Sequence, residues 1–178
     1  MKTAIRIVLL AALLALGFWL YTVLFPGPEK AIRKQLTRVA RLASIKPDQG
    51  LLSRGANIQE LADCFDSTIE ITLNLRGGSE HSVTGRDGII ELAKMAHARF
   101  RMLQIDFLDM NVALAPDKQS ATVHLTAKAS SSEEKDFQVQ ELKFNLKKIN
   151  GRWLIISIET VRTLSRVPAG GGLWLART

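Results

Sequence analysis

Alternating apolar and polar residues mark most of the chain after residue 68 as strands. Ile69, Ile71 and Leu73 alternate with polar residues, which predicts a half-buried strand that ends at Gly77-Gly78. Four longer strands follow at residues 103–114, 120–129, 136–148 and 152–164. Asn150-Gly151 is a strong hairpin signal between the last two. Because these strands are joined by short turns, they predict an antiparallel meander.

Two of these strands change the face of their apolar residues midway. The apolar set ending at Phe107 gives way to one beginning at Leu108, and the set ending at Val139 gives way to one beginning at Leu142. A slip of one residue in the alternation indicates a β-bulge, and bulges bend a sheet. We therefore expect a strongly curved sheet.

Three helices are predicted beside the sheet. Residues 28–44 carry Ile32, Leu36, Val39 and Ala43 at helical spacing. A short helix begins at Asn57, with Glu60 completing a capping-box pattern. The third is opened by residues 84–88, with a buried stripe of Ile89, Leu92, Ala93, Ala96 and Phe100. The fold class is thus α+β, an antiparallel sheet curved around three helices.

An apolar run precedes this domain. Residues 7–25 contain no charged side chain and, as a helix, would span roughly 28 Å, close to the thickness of a bilayer's hydrocarbon core. The bulky Phe18 and Trp19 stand where a cleaved signal peptide would have small residues. We therefore expect an uncleaved transmembrane anchor at 1–27, a domain at 28–165 and a flexible tail at 166–178.

The helix after the anchor is basic on one side. Its charged stripe predicts contact with anionic lipid headgroups. The alternative is a polar face exposed to solvent on a helix that packs against the core. The charged residues are Lys30, Arg33, Lys34, Arg38 and Arg41. These cations favour a cytoplasmic domain, but the very short charged N-terminus favours the opposite orientation. We expect a single-pass protein with its domain on the extracytoplasmic (periplasmic) side.

Composition excludes several functional classes. The net charge of +7 over 178 residues is modest, and the basic residues lack clustered aromatics, so we expect no nucleic-acid partner. Cys64 is the only cysteine, so no intrachain disulfide can form. The chain lacks the spacing motifs of metal sites and the glycine motifs of phosphate sites, so we expect no metal and no cofactor.

The order of the elements resembles a known superfamily. A helix opened by Gly85-Arg86-Asp87-Gly88-Ile89 is followed by four strands with Asn150-Gly151-Arg152-Trp153 at the last turn. Over residues 29–164 this resembles the nuclear transport factor 2-like superfamily, which includes SnoaL-like and ketosteroid isomerase-like proteins. The resemblance implies a cone with a pocket at its open end, and we expect Trp153, Phe144 and Glu141 to serve as pocket or interaction residues.

The same resemblance covers both enzymes and non-catalytic binding domains. A ketosteroid isomerase-like site needs a tyrosine, and the only tyrosine, Tyr21, lies in the predicted span. The remaining candidates for a general base are His97 and Glu159. The alternative, which is the general case for these residue types, is an exposed position: the surface or rim for His97 and the outer side of the sheet for Glu159. We therefore expect a membrane-tethered, non-catalytic domain that binds a protein partner or a small apolar ligand. The alternative is a small isomerase, dehydratase or hydrolase with a His or carboxylate base. Self-association through the outer face of the sheet is a further expectation.

Overall fold

The computed structural model describes residues 27–74, 80–132 and 137–167. Within them the chain forms α1 (Pro28–Ala43), α2 (Leu51–Ala62), β1 (Phe65–Asn74), β2 (Glu80–Thr84), α3 (Gly85–Arg99), β3 (Leu103–Leu114), β4 (Ser120–Ser131), β5 (Phe137–Ile149) and β6 (Arg152–Val167). The prediction of an α+β fold with three helices is confirmed. The four long strands begin and end within three residues of their predicted bounds.

The six strands form one mixed sheet in the order β2-β1-β6-β5-β4-β3. The prediction of a wholly antiparallel sheet is wrong at one place, because β1 and β6 run parallel, with Ile71 opposite Ile158. Parallel neighbours need a long connection, and here α3 and the strands β3 to β5 lie between them in the chain. Local alternation carries no information about this pairing.

Register shifts bend the sheet. Between Leu108 and Asn111, β3 has one residue more than β4, and Asp109 has a φ of 51°. This is the bulge predicted in that strand. The bulge predicted within β5 is wrong, since β5 pairs with β4 without a shift. A shift does occur between Glu141 and Leu142, but the extra residue there is Val161 on β6.

The helices pack against one face of this sheet, called the inner face. Phe144, Ile155 and Leu146 on that face are at most 1% exposed. From α1, Ile32 and Leu36 are fully buried against them, which confirms the predicted apolar stripe. The opposite side of the sheet is the outer face.

The two ends of this layered structure are called the narrow end and the open end, and each is identified by the residues that meet there. At the narrow end, Ala121 pairs with Leu146, and the backbone N–H of Ile155 donates to the carbonyl of Cys64. At the open end, Ile45 pairs with Leu103 directly after α1. The chain therefore enters α1 near the narrow end and leaves it at the open end.

No helix in the described ranges has the length and apolar character needed to cross a membrane. The predicted span at 7–25 lies outside those ranges. The predicted flexible tail at 166–178 also lies outside them, except for two residues that end β6.

Two elements depart from the sequence prediction. Helix α2 begins at Leu51, six residues before the predicted start at Asn57, and Gly50 caps it without a side-chain hydrogen bond. The residues between those positions show no apolar stripe in the sequence. In the structure both leucines at the start of the helix are exposed. Strand β2 was not predicted at all, since its five residues are too few to show alternation.

Replacing Gly151 with alanine should lower the free energy of unfolding by about 1–2 kcal/mol, the cost of forcing a side chain into a left-handed conformation. Gly151 has a φ of 79° in the β5–β6 turn, and an added Cβ would contact nothing within 4 Å, so backbone strain alone acts. Urea unfolding measures the change. The matched control is Gly55→Ala within α2, which should be stabilising. A Gly151→Ala variant with the same free energy of unfolding as the wild type would contradict the expectation.

Candidate functional site

A cavity of about 350 Å³ lies between the helices and the inner face of the sheet, toward the open end. Its walls are mainly apolar and come from every layer, including Leu42, Leu61, Ala93, Ile105, Phe107 and Phe144. Leu92 also lines the cavity and is 40% exposed, so the cavity reaches the surface beside α3. An apolar concavity with few polar groups is typical of a small-molecule site.

The predicted buried stripe of α3 faces this cavity. Ile89, Leu92, Ala93 and Ala96 all line it, but only Ile89 is buried. Their helical spacing correctly indicated a shared apolar face. That face meets a space open to solvent, which explains why Leu92 stays partly exposed.

Three lining residues carry polar side chains. Gln140 on β5 donates from Nε2 to Oγ1 of Thr160 at 2.8 Å. Lys128 on β4 places its Nζ 4.7 Å from the ring centroid of Phe137, a favourable cation–π contact. His97 near the end of α3 is the third.

Among the three polar side chains that line the cavity, His97 is the one with a buried polar atom that lacks a hydrogen-bond partner in the described part of the chain. Its Nδ1 is buried and has no hydrogen-bond partner among the described residues. Burial lowers the pKa of His97 below its ordinary value, and the positive charge of Arg54 on α2 lowers the pKa further. The imidazole is therefore neutral at pH 7, with one nitrogen available as an acceptor.

The lowered pKa of His97 predicts a loss of stability in mild acid. The folded protein binds this proton less readily than the unfolded chain, so His97 favours folding above the unfolded pKa of about 6.5 and opposes it as the pH falls below that value. In urea unfolding at pH 7 and pH 5, the wild type should lose more stability than His97→Gln. Parallel losses in the two proteins would contradict this.

Of the other predicted site residues, Phe144 lines the cavity, and the remaining three lie elsewhere. Trp153 is buried at the narrow end beside Cys64, where it lines a separate surface depression. Glu141 pairs in register with Thr126 and lies on the outer face. Glu159 also lies on the outer face, 48% exposed, with its Oε2 3.3 Å from Nζ of Lys143.

Glu159 lies on the outer side of the sheet, as the alternative expectation for it had it, and not in the pocket as a base. Its carboxylate lies across the sheet from the cavity, because β6 has an extra residue between Ile155 and Ser157 that shifts which side chains face inward. The exposed pair with Lys143 contributes little stability. Of the two candidate bases, the structure brings only His97 to the cavity.

A network of polar side chains crosses the outer face on β4, β5 and β6. The amide of Asn145 donates from Nδ2 to Oγ of Ser157 at 2.7 Å, and the hydroxyl of Thr122 donates to Oδ1 of Asn145 at 3.0 Å. His124 is exposed on the same face. Self-association through this face stays a prediction.

The predicted membrane-surface residues divide into two groups. Arg33 pairs with Glu29 at 2.9 Å and donates to the carbonyl of Met110, and Arg38 pairs with Glu60 at 2.7 Å. The other three are exposed and form no ion pair among the described residues; they are Lys30, Lys34 and Arg41. Three of the five cations thus remain accessible to an anionic surface.

Metal-binding clusters and a reactive thiol are both lacking in the described part of the chain. No group of three His, Cys, Asp or Glu side chains there is arranged to hold a metal ion. Cys64 is 2% exposed, and its burial raises the pKa of the thiol. A buried, protonated thiol behaves as a small apolar residue.

Gln140 and Arg54 were not predicted from the sequence as residues of this site. Gln140 lies on the same inner face as Leu142 and Phe144, because β5 alternates regularly along β4. Reading a bulge into β5 instead placed Val139 inward and turned Gln140 outward. Uninterrupted alternation was the signal that would have found Gln140. Arg54 precedes the predicted start of α2, so no sequence pattern placed it near His97.

Comparison with models of known protein families finds no match, and comparison with curated protein sequences finds none either. Solved structures do match. A candidate scytalone dehydratase from Novosphingobium aromaticivorans aligns with a TM-score of 0.59 at 16% identity, covering 82% of this chain and 95% of its own. An NTF2-like protein with a cystatin-like fold from the same organism gives 0.54 at 17%, covering 85% and 86%.

A third match is an NTF2-like protein of unknown function from Pseudomonas putida, with a TM-score of 0.56 at 12% identity, covering 74% of this chain and 84% of its own. These likenesses show that the chain has the cone fold of NTF2-like and cystatin-like proteins. At such low identity they show the fold alone, because one fold carries many unrelated functions.

Proposed function

We propose that this chain is a membrane-tethered, non-catalytic domain that binds a small apolar ligand in its cone. The observation that carries the proposal is the apolar cavity of about 350 Å³ at the open end. Its volume lies in the range of small-molecule sites, and its few polar groups suit an orienting role. A ligand there would remove apolar side chains such as Leu92 from water.

The ionisable groups around the cavity support binding rather than catalysis. His97 and Lys128 are the ionisable residues that line it, and Lys128 is engaged with Phe137. General acid–base chemistry works best with a donor and an acceptor placed on one substrate. Both carboxylates predicted for the site, Glu141 and Glu159, lie on the outer face.

A second candidate function is a small enzyme that uses His97 as its general base. The specific support is the buried Nδ1 without a partner, on an imidazole that is neutral at pH 7. One solved structure with a similar fold is a candidate scytalone dehydratase, which gives further support to an enzyme that transfers protons. A conversion of the bound molecule that His97→Gln abolishes, with binding retained, would establish this function in place of the first.

The tether is proposed from residues 7–25 of the sequence. We place the domain on the extracytoplasmic side, with the exposed cations of α1 close to lipid headgroups. An alkaline wash of membranes tests the tether, because an anchored chain resists extraction. A reporter fused after Thr178 reads the orientation. Release into the wash would contradict the tether without bearing on the cavity.

Mass spectrometry of molecules retained by the purified full chain tests the ligand. Lipid and detergent held around the anchor are a background, so the comparison needs a variant whose cavity alone is filled. An apolar molecule that the wild type retains and the filled variant loses would support the proposal. Identical retained sets would contradict it.

A further inference from the structure

Two leucines at the start of α2 are almost completely exposed. Leu51 is 84% exposed and Leu52 is 93% exposed, in the first turn of the helix. They follow the loop that leaves Ile45, which is paired with Leu103 at the open end. Consecutive large apolar side chains in water contribute nothing to the core, so their exposure calls for a partner.

These leucines belong to an apolar rim around the open end. Most of the strongly exposed large apolar residues in the described part of the chain lie on the elements at this end; besides the leucines of α2 they are Leu92, Met95 and Met102. Exposed cations lie among them, namely Lys46, Lys94 and Arg99, with the acids Asp48 and Glu91 fewer in number. Apolar side chains with a basic surround suit an anionic membrane interface.

Helix α1 connects this rim to the proposed anchor. It begins three residues after the apolar run ends at Phe25, and its 16 residues extend about 24 Å toward the open end. Helix α2 lies alongside it, joined by the pair of Arg38 and Glu60. The free cations of α1 recur at spacings of four and seven residues and therefore share one exposed side of the helix; they are Lys30, Lys34 and Arg41.

We propose that the domain lies on its side, with α1 along the bilayer and Leu51 and Leu52 inserted among the headgroups of anionic lipids. The mouth of the cavity then opens at the membrane interface. This inference rests on the proposed tether, which supplies the fixed point near the narrow end. It also specifies the ligand class: a membrane-derived apolar molecule that enters from the lipid surface.

Fluorescence of an environment-sensitive label tests this orientation in the full chain. Leu52→Cys and His124→Cys are labelled with a nitrobenzoxadiazole group and reconstituted in vesicles of phosphatidylcholine with phosphatidylglycerol. Cys64 is 2% exposed and its thiol has a raised pKa, so it should remain unlabelled. Both chosen positions are exposed, so neither substitution disturbs the core.

Lipids with a spin label near the headgroup should remove most of the fluorescence at residue 52 and little at residue 124, which is on the outer face. Equal quenching at the two positions would overturn the inference. So would a blue-shifted signal at residue 52 without lipid quenching, because a protein would then cover the leucines. Resistance to an alkaline wash is measured on the same vesicles, so a failed tether is distinguished from a tethered domain that stands away from the bilayer.

Discussion

Replacing Phe144 with alanine should lower the free energy of unfolding by about 3–5 kcal/mol, because a large buried side chain is removed from the core. Phe144 is 1% exposed, and it stands between Val123 on β4 and Ile158 on β6. Its ring also meets that of Phe107 edge-on, with centroids 5.4 Å apart and an interplanar angle of 63°. Truncation would remove these contacts and enlarge the neighbouring cavity.

Urea unfolding of the full chain, followed by circular dichroism, measures this loss. Lys147→Ala is the matched control, because Lys147 is exposed on the same strand and should change stability by less than about 0.5 kcal/mol. If the Phe144 variant were as stable as this control, the packing described for the inner face would be wrong.

Replacing Ala93 with phenylalanine should remove most ligand binding. Ala93 lines the cavity from α3, so an added ring would occupy part of its volume of about 350 Å³. We expect the amount of retained apolar ligand to fall at least about tenfold, which needs a loss of only about 1.4 kcal/mol of binding free energy. Mass spectrometry of molecules extracted from the purified protein measures the fall.

Ala98→Phe is the control for the Ala93 variant. It adds the same ring to the exposed side of the same helix and leaves the cavity unchanged. Overpacking at Ala93 should itself cost about 1–3 kcal/mol of stability, so both variants are also unfolded in urea. A well-folded Ala93 variant with wild-type ligand content would contradict the cavity as the binding site.

Long elements with regular patterns were predicted well, because each turn or pair of residues repeats the same signal. Strand β3 begins and ends at its predicted residues. The hairpin at Asn150 and Gly151 has positive φ at both positions, as the type I′ turn requires. The apolar stripe of α1 packs as expected, since it faces a continuous core.

The features that were predicted wrongly or not at all depend on distant parts of the chain or on short segments. The parallel pairing of β1 with β6 follows from the path of the intervening chain, which leaves no trace in either strand's own residues. Glu159 lies on the outer face, which was the alternative expectation for it, and the extra residue between Ile155 and Ser157 on β6 is what turns its side chain outward. His97 could be placed beside the cavity because it belongs to a helix with a readable face, whereas Gln140 was hidden by a misread alternation.

The position of β6 has a consequence for biosynthesis. This strand is the last described element in the chain, yet it fills the gap between β1 and β5 in the middle of the sheet. Until the ribosome has released it, the β1–β2 hairpin and the β3–β5 meander cannot join into one sheet. Folding must therefore wait for the whole domain to emerge, and a nascent chain stalled before Arg152 would present its apolar inner face to chaperones and proteases.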